Sequence, residues 1–142
     1  MPLTRLLLID LHQGFRESAR KYLLRSRLFR SVETAASYNE GMLLAKEHFP
    51  DLLLVDSKTF FDNPGIIKEI EKLKHSNSAL EVLVLFLFRE EDLSRCQELL
   101  PMVSGIILKE SFAEDLLEYL AAGKINTAGY RESSRKGVDQ CN

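Results

Sequence analysis

The chain of 142 residues is long enough for one domain with a substantial core and too short for two domains of ordinary size. Hydrophobic residues make up 45% and charged residues 28%, as in a typical globular protein. The formal net charge of -2 gives no reason to expect direct nucleic-acid binding, and no apolar run approaches the roughly 18 residues of a membrane helix. The cysteines, Cys96 and Cys141, do not suggest a disulfide framework. We therefore expect a cytoplasmic protein that contacts neither membrane nor nucleic acid.

Short apolar runs alternate along the chain with longer segments of helical periodicity. Such runs are typical of strands buried on both faces of a parallel sheet. They occupy residues 6–9, 52–55, 82–88 and 106–108. A weaker run at residues 29–32 predicts a further strand, which we expect to be partly exposed.

The intervening segments predict five helices. The first has Phe15, Ala19, Tyr22 and Leu23 on one face. The others are expected at Tyr38 to Phe49, after Pro64, at Glu90 to Leu100, and after Ser111. Ser111 is a suitable N-cap for the last helix, with Glu114 placed for a capping box.

The order βαβαβαβαβα predicts a doubly wound, flavodoxin-like α/β sandwich of three layers with a five-stranded parallel sheet. This domain is expected to cover residues 1–123. Residues 124–142 are polar and lack apolar periodicity, which predicts a linker or a disordered tail.

Three ionisable residues follow predicted strands directly. Asp10 follows the first apolar run, Asp56 follows the run at residues 52–55, and Lys109 follows the run at residues 106–108. Ligands of open α/β sheets bind beyond the carboxyl ends of the strands, so these side chains are candidates for one site. An aspartate can attack phosphorus and form an acyl phosphate, a divalent metal can offset the repulsion between anions, and a lysine can pair with phosphoryl oxygens.

Three motifs in this order resemble the response-regulator receiver family, also called CheY-like. Residues 9–17 read IDLHQGFRE, residues 50–56 read PDLLLVD, and residues 105–111 read GIILKES. The opening and closing motifs resemble the subgroup whose receivers usually precede a LuxR-type helix-turn-helix module.

The resemblance implies a regulatory domain rather than an enzyme. It makes Asp56 the phosphoacceptor and Lys109 the contact to the phosphoryl group. It also implies a Mg²⁺ ion bound by Asp10, Asp56 and the backbone carbonyl of Lys58. The implied partners are a sensor histidine kinase or phosphotransfer protein, a downstream output protein or domain, and a second copy in a homodimer.

Several positions depart from the family pattern. Leu11 stands where a second acid usually ligates the metal, so Mg²⁺ binding is expected to be weak. The fourth strand ends Phe86-Leu87-Phe88, without the usual hydroxyl, and Ile106 replaces the switch aromatic of the fifth strand. The proline that usually follows the phosphoacceptor is missing, and residues 57–61 are expected to form a different loop.

Lys58 lies in this expected loop and has two interpretations. It is either a solvated lysine, or its ammonium turns toward Asp10 and Asp56 and replaces the missing cation. For His12 we expect a loop or packing role.

Two other functions stay open beside the phosphoacceptor. The departures from the family pattern are compatible with a pseudo-receiver, a binding module that works without phosphorylation. A small flavodoxin-like enzyme or nucleotide binder is a third possibility, but the glycine-rich phosphate loop that it needs is missing after Asp10.

Overall fold

The structure, a computed structural model, describes residues 4–87 and 101–122. The strands are β1 (Thr4–Ile9), β2 (Phe29–Ala35), β3 (Leu52–Asp56), β4 (Glu81–Phe86) and β5 (Gly105–Leu108). The helices are α1 (Gln13–Ser26), α2 (Tyr38–His48), α3 (Ser57–Asp62), α4 (Ile66–Ser76) and α5 (Phe112–Ala122), with a 3-10 turn at Lys109–Ser111.

The strands form a five-stranded sheet in the order β2-β1-β3-β4-β5. Strand β1 pairs in parallel with β2 and β3, and β4 pairs in parallel with β5. The predicted fold class, a doubly wound α/β sandwich with a parallel sheet, is confirmed. The chain divides into two compact units, Met1–Val82 and Leu83–Asn142, with β4 beginning in the first and continuing into the second.

In the first unit the central strands are buried on both faces. The side chains of residues 6–9 and 52–55 are at most 3% exposed. Strand β2 begins at Phe29, as expected, but extends to Ala35, and most of its residues are only half-buried. The continuous apolar runs therefore predicted the central strands correctly, because both of their faces exclude water.

Helix α2 matches its prediction closely, and its two ends are capped. The Ser37 hydroxyl accepts a hydrogen bond from the Glu40 amide at 3.2 Å. At the other end Phe49 adopts a left-handed conformation with φ 48°, and its amide donates to the Ala45 carbonyl at 3.1 Å. Phe49 is thus the C-cap rather than a helical residue, and Pro50 prevents the helix from continuing.

The prediction of a loop after Asp56 is wrong, because the short helix α3 begins directly after this residue. Thr59 and Phe60 of this helix are 2% and 4% exposed. The side-chain amide of Asn63 donates to the Thr59 carbonyl at 2.8 Å and so satisfies an acceptor at the helix end. Burial of Phe60 and this cap stabilise a helix that is too short to persist in isolation.

In the second unit, α5 begins directly after the 3-10 turn. Asp115 Oδ2 accepts hydrogen bonds from the Leu108 amide at 3.3 Å and from the Ser111 hydroxyl at 3.0 Å. The acid that reaches back across the start of this helix is therefore Asp115, whereas Glu114 was expected.

Two predicted segments lie outside the described residues, namely the helix at residues 90–100 and the tail at residues 124–142. Within the described part of the chain, no helix is both long enough and apolar enough to cross a membrane.

Candidate functional site

Asp10 lies just beyond β1, and both its backbone amide and its backbone carbonyl form hydrogen bonds. Its amide donates to the Ala35 carbonyl at 3.1 Å, which continues the pairing of β1 with β2. Its carbonyl accepts from Arg16 Nη1 at 2.8 Å. The residue is 0% exposed, so the structure places this carboxylate in the protein interior with a well-defined position.

A tight turn connects Asp10 to His12. Asp10 Oδ1 accepts a hydrogen bond from the His12 amide at 2.8 Å, the pattern of an Asx turn. His12 is also the N-cap of α1, and its carbonyl accepts from the Arg16 amide at 2.9 Å. The turn brings His12 Nδ1 to 3.3 Å from Asp10 Oδ1, while the imidazole stays 52% exposed.

Asp56 is the last residue of β3 and directly precedes α3. It is 2% exposed. The hydroxyl of Thr59 donates to Asp56 Oδ2 across 3.5 Å. Since Ile9 is paired with Val55 in the register of β1 and β3, the next residues, Asp10 and Asp56, emerge side by side from neighbouring strands.

Asp10, His12 and Asp56 form one cluster. Each offers a potential ligand atom, and these atoms all lie within 4.8 Å of one another. The structure therefore brings together the two acids that the sequence singled out, and adds His12, for which only a loop or packing role was expected. The D-x-H spacing at the end of β1 is the one sequence signal that could have suggested this histidine.

The structure places Lys58 on the surface. Its Nζ lies 3.0 Å from Asp62 Oδ2, and the side chains of Lys58 and Asp62 are 64% and 57% exposed. This agrees with a solvated lysine, and the alternative in which the ammonium turns toward Asp10 and Asp56 is wrong for this structure. The role expected for the Lys58 carbonyl stays a prediction.

Lys109 belongs to the second unit, where it opens the 3-10 turn after β5. It is 7% exposed, a degree of burial that is rare for lysine. In the same unit Phe86 and Ile106 are 1% and 7% exposed, so these two departures from the family pattern are core residues, whereas Leu87 is 42% exposed.

The solved structures that this chain resembles include response regulators. The RcsB response regulator of Salmonella typhimurium is 21% identical, with a TM-score of 0.68 over 86% of this chain. A LuxR-family two-component response regulator from Aurantimonas sp. SI85-9A1 is 24% identical, with a TM-score of 0.67 over 90% of this chain and 87% of its own. The isolated REC domain of RcsB from Salmonella enterica serovar Typhimurium, studied with the phosphomimetic BeF3⁻, is 20% identical, with a TM-score of 0.67 over 85% of this chain and 88% of its own.

These likenesses establish that the chain has the receiver fold. It spans 60% of the length of the first RcsB structure. No family model matches the sequence, and no curated protein matches it.

The residues at the cluster fit a Mg²⁺ ion only in part. Mg²⁺ favours octahedral coordination by oxygen, and Asp10 and Asp56 supply two buried carboxylates for it. Leu11 has no ligand atom and its side chain is 43% exposed. The third donor of the cluster is an imidazole nitrogen, which Mg²⁺ binds poorly.

Proposed function

We propose that this chain is a response-regulator receiver domain of two-component, or phosphorelay, signal transduction. In this proposal a sensor histidine kinase or phosphotransfer protein donates a phosphoryl group to Asp56. The observation that carries it is a buried Asp56 at the carboxyl end of β3, beside Asp10, in a chain with the receiver fold. A cytoplasmic location and a regulatory rather than enzymatic role belong to the same proposal.

The chemistry requires a positioned carboxylate. An Asp56 oxygen attacks phosphorus, the new O–P bond forms an acyl phosphate, and the bond from phosphorus to the donor breaks as the donor leaves with its electron pair. A divalent cation at Asp10 and Asp56 would neutralise the charge that three anionic groups bring together. Lys109 is proposed to contact the phosphoryl group as a point charge, a role that suits its burial at the end of β5.

The output is proposed to be a change in contacts with a downstream protein or domain, or with a second copy of the chain, rather than direct nucleic-acid binding. The net charge of -2 supports a protein partner in preference to nucleic acid.

Weak Mg²⁺ binding is the part of this proposal that follows from Leu11. An aspartate at this exposed position would add an oxygen ligand with little cost to folding. We expect Leu11→Asp to raise the affinity for Mg²⁺ at least tenfold in a calorimetric titration, and an unchanged affinity would contradict the weak-site explanation.

The main test is incubation with acetyl phosphate and Mg²⁺, followed by intact mass measurement. The wild-type chain should gain the mass of one phosphoryl group, and Asp56→Asn should not. Asp62→Asn is the matched control, because Asp62 lies in α3 but is 57% exposed, and it should still form the adduct.

An adduct that persists in Asp56→Asn would assign the phosphoryl group to another residue. No adduct at high acetyl phosphate concentration and saturating Mg²⁺ would reject the phosphoacceptor and favour an interaction module that works without phosphorylation.

A further inference from the structure

The carboxylate of Asp115 binds the chain on both sides of Lys109. We propose that Asp115 is a positioning residue for this lysine, which it holds in the place where the ammonium can contact a phosphoryl group. The proposal rests on the proposed function for the role of Lys109. The position of Lys109 is also measured without a phosphoryl donor, so the two proposals can fail separately.

The first support is where the two hydrogen bonds of Asp115 lie. Its Oδ2 accepts from the Leu108 amide at 3.3 Å and from the Ser111 hydroxyl at 3.0 Å. Leu108 directly precedes Lys109, and Ser111 is the last residue of the 3-10 turn that Lys109 opens. A single oxygen atom therefore joins the end of β5 to the end of the turn, with Lys109 between the two donors.

The second support is the position of β5 at an edge of the sheet. In the sheet order β5 has β4 as its neighbour, and Leu108 pairs with Phe86 of that strand. Amides on the outer side of an edge strand have no neighbouring strand to donate to. Asp115 supplies the acceptor for the Leu108 amide, so its carboxylate fixes the last residue of β5, from which Lys109 follows.

The third support is the hydrogen bond on the other side of Lys109. The Lys109 carbonyl accepts a hydrogen bond from the amide of Phe112, the first residue of α5. Phe112 is 7% exposed, so this end of α5 is anchored in the core of its unit. The backbone of Lys109 is thus held by α5 in two ways, through the Phe112 amide and through the Asp115 carboxylate.

A fixed backbone matters for this lysine because its side chain acts as a point charge on a flexible stem. Lys109 is 7% exposed, so packing restricts the stem and the position of the ammonium follows that of the backbone. The attraction between an ammonium and a phosphoryl oxygen weakens as their separation grows. A shift of the turn should therefore weaken the phosphoryl contact even though Asp115 itself does not touch the phosphoryl group.

The first experiment measures how fast the adduct forms with saturating acetyl phosphate and Mg²⁺, by intact mass at successive times. Asp115→Ala removes the acceptor of both hydrogen bonds. Asp115→Asn is the conservative variant, because both bonds end on Oδ2 and an amide oxygen can accept them. Glu114→Ala is the matched control, since Glu114 is the preceding acid of α5 and is exposed.

A misplacement of about 1 Å can cost about 100-fold in rate, so we expect Asp115→Ala to form the adduct about 10- to 100-fold more slowly than wild type. Asp115→Asn and Glu114→Ala should stay within about twofold of the wild-type rate. A wild-type rate in Asp115→Ala would overturn the proposal.

A double-mutant cycle with Lys109→Met separates positioning from a general weakening of α5. Lys109→Met should itself slow the reaction, and adding Asp115→Ala should then change the rate by less than about twofold, because the group to be positioned is gone. The same loss from Asp115→Ala in both backgrounds would mean that it does not act through Lys109. A rate unaffected by Lys109→Met would remove the role of this lysine and the proposal with it.

The second experiment follows Lys109 directly, by reductive methylation of the lysines and mass measurement of the peptides. Two lost hydrogen bonds should make opening of the turn easier, so we expect Lys109 to be methylated about fivefold faster in Asp115→Ala than in wild type. Lys58, whose side chain is 64% exposed, is the internal standard and should react equally in every variant. Far-UV circular dichroism checks that each variant is folded.

Unchanged methylation of Lys109 in Asp115→Ala would contradict the positioning role. This second experiment uses no phosphoryl donor. If the wild-type chain formed no adduct, the proposed phosphoacceptor would fail, while the methylation rates would still decide whether Asp115 holds Lys109 in place.

Discussion

The hydroxyl of Thr59 donates to Asp56 Oδ2 across 3.5 Å, and the two residues lie three positions apart at the start of α3. Both are 2% exposed. The first turn of α3 therefore places a buried hydroxyl group beside the carboxylate of the candidate phosphoacceptor. This hydroxyl comes from the helix after β3 rather than from the end of β4, where the family resemblance would place one.

The contact between Thr59 and Asp56 should be measurable as a coupling free energy. We expect a double-mutant cycle of Thr59→Val and Asp56→Ala to give about 0.5–1 kcal/mol, the lower part of the range for a hydrogen bond, because the distance is long. Urea unfolding of the four proteins measures it. Additivity of the two single changes within about 0.3 kcal/mol would show that the contact contributes nothing.

Gly41 determines how closely α2 approaches β1. A Cβ at this position would overlap Cδ1 and Cγ1 of Ile9, which is fully buried. Although alanine favours a helix by about 1 kcal/mol, we expect Gly41→Ala to destabilise the protein by about 1–2 kcal/mol, because overpacking a core costs about 1–3 kcal/mol.

Ile9→Val relieves part of this overlap and serves as the control, since it removes Cδ1 and leaves Cγ1 in place. The double variant Gly41→Ala with Ile9→Val should be more stable than the sum of the two single effects predicts. A double variant at or below that sum, measured by urea unfolding, would place the strain elsewhere.

The ion pair between α2 and α4 should make stability depend on pH. The hydrogen bond from Lys46 Nζ to Glu69 Oε1, 2.8 Å long, holds the pKa of Glu69 below its ordinary value of 4.5. Because the folded pKa is lowered, the stabilisation is present above the ordinary pKa and is lost as the pH falls through the folded one. We expect the urea midpoint of Lys46→Met to fall less than that of wild type as the pH decreases from about 6 to about 3.

Lys72→Met is the matched comparison, because Lys72 Nζ lies 3.5 Å from Glu69 Oε2 and its side chain is 74% exposed. Its pH dependence should stay close to that of wild type. If Lys46→Met showed the wild-type pH dependence instead, the ion pair would contribute no stability.

The contribution of Asp115 to stability should depend on pH in the opposite direction to that of Glu69. Burial raises the pKa of its carboxyl above the ordinary value of 3.8, against the hydrogen bonds from the Leu108 amide and the Ser111 hydroxyl, which lower it. A raised folded pKa means that the stabilisation is complete below the ordinary pKa and is lost as the pH rises through the folded one. Asp115→Asn should therefore gain stability relative to wild type as the pH rises from about 3 to about 7, as measured by thermal unfolding.

The asparagine oxygen can still accept both hydrogen bonds, since both end on Oδ2. Asp115→Ala removes the acceptor and should cost about 1–2 kcal/mol at neutral pH. A constant difference between Asp115→Asn and wild type over the whole pH range would refute the raised pKa.

Much of the fold could be predicted from the order of residues, because the central strands are buried on both faces. Residues 6–9 and 52–55 are continuous apolar runs for this reason, and the acids that follow them end up at the same edge of a parallel sheet. Asp10 and Asp56 could be selected as site candidates on that argument alone.

The tertiary structure alone decided the details around those acids. Residues 57–61 were predicted to be a loop, because the six residues of α3 are too few to show a periodic pattern. Burial of Phe60 and the cap by Asn63 stabilise this helix in the folded protein. In the helical conformation of α3, Lys58 forms an ion pair with Asp62 four residues later, and the Thr59 hydroxyl donates a hydrogen bond to Asp56. His12 became a candidate ligand because the Asx turn at Asp10 determines where its ring lies. The direction of one side chain depends on local backbone geometry, which cannot be inferred from the pattern of residue types.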